Sequence, residues 1–338
     1  MQKIKINKMK KTILLGTGLL LGLSMSAKIW RINNTGITTD FTSLQLAHDN
    51  AGVLAGDTLH LEPSSVSYGS LTLSKKLIII GNGYLLTQNL NLQANPVSSK
   101  AGALAFDPGS SGSVIMGLET FGNATIRTGN ITISRNNFNS YSIVLERTTA
   151  AYSNILISQN YNIYITSSGS GISAYNNINI LNNINVAFTN TGLANYFSGT
   201  IANNIITTIN SPVDYFMIKN NISLATTSGS VLYSSNSTFT HNICPTSNGW
   251  PNGNNNIQNT ALSSVFVLAG SNDAYYTLKA GSPAIGTGDG GVDRGAFGGP
   301  NPYVLSGIPP VPSIYLLSAP SNSNGNQINI TISTKTNN

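Results

Sequence analysis

Between residues 100 and 260 the carboxylates are Asp107, Glu119, Glu146 and Asp214, a thin supply for acid–base work. A glycosidase places two carboxyl groups roughly 5–9.5 Å apart across the scissile bond. These four form no close Asp-Asp grouping, so hydrolysis is disfavoured. Elimination beside a uronate carboxylate instead needs a base and a fixed positive charge to meet the developing enolate. Arg127, Arg135, Arg147, Lys219 and His241 are the basic side chains available for that chemistry. Lys219 and His241 are the expected catalytic pair if the chain is an enzyme, which makes a polysaccharide lyase the better enzymatic reading. Arg135, Tyr161 and Tyr215 are the expected substrate contacts, within a wider set of aromatics: Tyr164, Tyr175, Tyr196, Phe197 and Tyr233. "GDGGVD" at 288–293 brings Asp289 and Asp293 close but lacks the spacing of a known calcium loop. It reads as a turn, and neither a metal nor a cofactor is expected.

What positions these side chains is a repeat. The segments "ISRNN", "ISQNY", "ILNNI", "IANNI", "IKNNI" and "FTHNI" align on Asn136, Asn160, Asn183, Asn204, Asn221 and Asn242. Successive intervals of 24, 23, 21, 17 and 21 residues mark a solenoid. Alternation such as Asn154-Ile-Leu-Ile-Ser has the two-residue period of strands, and the Leu-x-x-Leu-x-Leu frame of leucine-rich repeats is missing. Neighbouring coils stand about 4.8 Å apart, so Arg135 and His241, five coils apart, are separated by roughly 24 Å. Lys219 and His241 lie on adjacent coils, although a one-residue offset aims them to opposite faces of an undistorted strand.

This pattern resembles the right-handed parallel β-helix of the pectate-lyase-like superfamily. The resemblance implies a bend with an Asn at positive φ, and stacked amides that bond the coils above and below. The recurring Asn is then scaffold, with the preceding isoleucine and the following Ile184, Ile205, Ile222 and Ile243 filling the core. "TDFTSLQLAHDNAG" gives a capping helix over 39–52, started by Thr39 or Asp40. This helix, with "YGSLTLSKKLIIIGNGY" at 68–84 and the closing "YTLKAGSPAIGTG" and "VDRGAFGG", is similar to secreted bacterial β-helix proteins over about residues 30–300. The expected organisation is a signal peptide at 1–27 and an all-β solenoid of about ten coils at 28–299. A Pro-rich connector at 300–312 and a β-hairpin tail at 313–338 follow.

Lys3, Lys5, Lys8, Lys10 and Lys11 precede an apolar run from Ile13 to Leu23 and the small residues Ser24, Ser26 and Ala27. That order is a secretory leader; the run is too short for the roughly 20 residues that span a bilayer. Removing five lysines from 17 basic residues leaves 12 against 11 acidic, so the mature chain is nearly neutral. It has no basic stripe to neutralise nucleic-acid phosphates. Cys244 stands alone and reads as a buried thiol. The expected protein is extracellular or on the cell surface, without a membrane span in the mature chain. Its foremost function is non-catalytic binding of a polysaccharide or cell-surface glycan; the alternatives are a uronate lyase and a purely structural or adhesive solenoid.

Overall fold

The structure is a computed structural model that describes residues 27–189, 196–210, 213–227, 236–247, 249–320 and 327–337. All of the expected signal peptide except Ala27, as well as Tyr233, lies outside the described residues. The chain alternates between two parallel sheets, one of ten strands from Ile29–Ile32 to Thr238–Thr240 and one of eight from Leu71–Leu73 to Ile222–Ser223. Alternation between two all-parallel sheets makes a parallel β-helix. About eight turns are complete, fewer than the ten expected, because the first and last strands of the longer sheet lack partners in the shorter one. Short strands Ser99–Ala101 and Leu118–Thr120 add a third face early on.

Side chains that alternate along each strand close the core between the sheets. In-register pairing stacks Ile133, Ile157, Ile180, Ile201, Ile218 and Phe239 on successive coils, all buried. The recurring asparagines follow these strands and form an inner ladder. Asn183 donates its backbone and side-chain N–H groups to Asn204 Oδ1 at 3.0 and 2.9 Å. Asn204 does the same to Asn221 Oδ1 at 2.8 and 3.0 Å, and sends a further side-chain bond to the Ile180 carbonyl at 2.8 Å. The ladder runs from Asn136 to Asn242 and continues to Asn256.

The left-handed residue at this bend is the one before the ladder asparagine, which corrects the expectation from the resemblance. Arg135, Gln159, Asn182, Asn203, Asn220 and His241 have φ between 54° and 58°. Turning the chain one residue earlier swings the next side chain inward, where its amide reaches the neighbouring coil.

A second correction concerns the isoleucines after the ladder. Ile184, Ile205, Ile222 and Ile243 are buried, but outside the main core, in a separate cluster with Tyr84, Val265, Phe266, Ala284, Ala296 and Tyr303. Their cover is a return arm, residues 284–309, that runs back along the solenoid. The left-handed residues fasten it. Asn182 Nδ2 donates to the Ala296 and Gly298 carbonyls at 3.0 and 2.7 Å, and Asn203 Nδ2 to the Asp293 carbonyl at 3.0 Å. Gln159 reaches the Pro302 carbonyl at 2.6 Å, and Arg135 the Ile308 carbonyl at 2.7 Å. The Pro-rich segment therefore lies on the solenoid with Tyr303 and Ile308 buried.

The capping helix spans Leu44–Asp49, shorter than the 39–52 expected, and Ser43 caps it through a bond from Leu46 N. Asp40 instead accepts the Arg31 amide at 2.8 Å, and Phe41 bridges Ile32, which holds this stretch against the first strand rather than in the helix. At the far end Ser313–Ser318 and Thr331–Lys335 form an antiparallel hairpin. Among the described residues no helix is long and apolar enough to cross a membrane.

Candidate functional site

Lys219 and His241, the expected catalytic pair, both act on Asp289 at the root of the return arm. Lys219 ends a strand paired with Thr240, and His241 follows in the left-handed bend. Strand alternation does not extend into a bend, so the opposite-face expectation fails. Asp289, read as part of a turn, stands between them. Its carboxylate takes the Lys219 ammonium at 2.7 Å, its backbone N–H donates to Asn220 Oδ1 at 2.8 Å, and the hydrogen bond from Lys219 holds its carboxyl below the ordinary value. The His241 charge adds to that lowering.

In this arrangement Lys219 meets a carboxylate, and His241 Nε2 lies 2.9 Å from the Asn255 amide nitrogen. An amide donating to Nε2 leaves the ring proton on Nδ1, which is enclosed without a partner. The lone pair a base would use is thus occupied. The geometry ties the start of the arm to the solenoid, as Asn203 and Asn182 do further along. Among the described residues no group of three His, Cys, Asp or Glu side chains gathers as a metal site.

Arg135 is engaged on both sides, donating to Gln159 Oε1 at 2.8 Å and to the Ile308 carbonyl, and burial lowers its pKa. It walls a shallow groove of about 290 Å³ between the ten-stranded sheet and the arm, beside Met116, Ser134, Ser158 and Leu181. Tyr161 is only 5% exposed, stacked 6.3 Å from Tyr84 under the arm, and burial raises its phenol to about 12. Its ring is closed to a sugar. Arg127 bridges Asp107 and Glu146 at 2.7 and 3.0 Å, a local ion triad on the surface.

Tyr215 differs from all of these. It is 51% exposed and lines a groove of about 280 Å³ with Ala174, Asn176, Tyr196, Phe197 and Ser198. Its φ is +61°, at the corner that opens each strand of the ten-stranded sheet. The strand register puts it in the place of Asn130, Asn154 and Asn177 on earlier coils, all left-handed as well. Those asparagines join in a second, exposed amide ladder at 2.9 and 2.7 Å. Asn suits this conformation because its short amide bonds local backbone, whereas an aromatic side chain there is strained by about 1–3 kcal/mol.

Tyr196 and Ser198 belong to the coil between. Ser198 Oγ donates to Asn176 Oδ1 at 3.0 Å, and the Arg147 guanidinium sits 4.8 Å over the Tyr196 ring. Ring faces, an amide and a hydroxyl therefore meet at one corner of the solenoid. The sequence named Tyr196 and Tyr215 among many aromatics, but Asn176 and Ser198 carry no signal of their own in a chain so rich in both types.

Fold and site together define the class: a parallel β-helix with a fastened return arm and an aromatic surface groove. No known protein family matches the chain, nor does any curated protein or solved structure.

Proposed function

We propose that this protein is exported and acts outside the cell as a non-catalytic glycan-binding β-helix of the pectate-lyase-like type. The Tyr215 groove is its binding site. The observation that carries this reading is the strained conformation of Tyr215. The same corner is occupied with less strain by asparagine on three earlier coils, and about half of Tyr215 is open to solvent. Strain held at a half-exposed aromatic side chain points to a contact made outside the molecule. Tyrosine faces offer apolar area to sugar rings, and the Asn176 and Ser198 pair offers donors and acceptors to their hydroxyls. Export rests on the five lysines, the apolar run and the small residues of the leader.

The test is Tyr215→Asn. Restoring the corner's common residue is expected to leave the denaturant midpoint unchanged or raise stability by up to about 1 kcal/mol, while glycan retention in pulldown is lost. Retention equal to that of the unaltered protein would sink the proposal.

A uronate lyase is the second reading, favoured by the meeting of Lys219 and His241 at Asp289. Unsaturated products absorbing in the ultraviolet, and their loss in His241→Ala, would establish it over the first.

A further inference from the structure

We infer that the Tyr215 groove takes a neutral, hydroxyl-rich sugar chain and discriminates against polyuronates, an inference that rests on the glycan-binding reading above. Its lining, Ala174, Asn176, Tyr196, Phe197, Ser198 and Tyr215, holds no carboxylate, ammonium or guanidinium. A carboxylated sugar entering such a site sheds water without finding a fixed countercharge, which opposes binding. A cation that does touch one of these residues is Arg147. It lies over Tyr196 rather than in the lining, and is engaged with the Gly169 carbonyl at 2.6 Å.

The Asn176–Ser198 pair complements neighbouring hydroxyls by presenting both donor and acceptor atoms.

The experiment measures binding of the purified protein to soluble neutral polysaccharides (a glucan, a mannan and a xylan) and to polyuronates, at low and physiological salt. Expected is at least a tenfold preference for one of the neutral chains, abolished in Tyr215→Asn. Tighter binding to a polyuronate than to every neutral chain overturns this inference and leaves the glycan-binding reading standing. Failure to bind any sugar overturns that reading, and this inference with it.

Discussion

Adjacent asparagines in the repeat do different work because one residue of backbone turns their side chains in opposite directions. Asn204 faces inward, its side chain taking part in five hydrogen bonds with the strands and neighbouring amides, while Asn203, left-handed, faces outward and holds the arm. Asn204→Ala leaves the buried Asn183 backbone N–H without its acceptor, and should lower stability by about 1–3 kcal/mol with glycan affinity unchanged. Equilibrium denaturation checks the first expectation and pulldown the second; an unaltered midpoint would contradict the ladder. The six ladder positions were legible from spacing. Asn256 was not, since it follows Asn242 by only 14 residues, although Ile257 repeats the Asn-Ile signature.

At the scale of elements, the return arm is held by close backbone approach as well as by amides. A Cβ added at Gly298 would collide with the Asp293 carbonyl oxygen, a backbone atom that cannot swing aside. Gly298→Ala is expected to loosen the arm at a cost of roughly 1–3 kcal/mol. Limited proteolysis should show faster cleavage within residues 284–309, and unchanged cleavage would count against the arm as a tightly seated element. The clasp at its root also sets a pH dependence. Because Lys219 lowers the Asp289 carboxyl in the folded state, the clasp contributes fully above the unfolded carboxyl value of about 3.9 and fades as pH falls through the lower folded one. Both side chains are partly exposed, at 28% and 48%, so the contribution is a few tenths of a kcal/mol. Melts from pH 7 to 3 should show a small acid loss that Asp289→Asn lacks.

For the whole molecule, the solenoid and arm form a closed body, and the hairpin stands on its rim. Leu317, Ile328, Ile330 and Ile332 are each more than half exposed, and the hairpin's ties to the rest include the Ile314 carbonyl accepting from Ala94 N at 2.7 Å. Ending the chain after Pro312 should therefore shift the melting temperature by no more than a few degrees while reducing self-association at high concentration, because exposed apolar surface promotes it. Light scattering and a thermal melt check both; a large loss of stability would show the hairpin to be integral.

The period of the asparagines and the two-residue alternation of isoleucine determined the β-helix without any coordinates, because stacking identical coils demands local regularity that spacing records directly. Sequence also singled out Lys219, His241 and Tyr215 by residue type. Only the tertiary structure decided what each does. The arm returns from residues 284–309 to coils far earlier in the chain, with contacts such as Lys219–Asp289 and Arg135–Ile308 spanning 70 and 173 residues, so no local pattern could place Asp289 beside Lys219 and His241, or cover Tyr161 and the isoleucines after the ladder. Backbone handedness was equally hidden. A tyrosine and three asparagines share one corner because the strand register puts them there, and a contact between coils is fixed by packing rather than by the residues that happen to be neighbours in the chain.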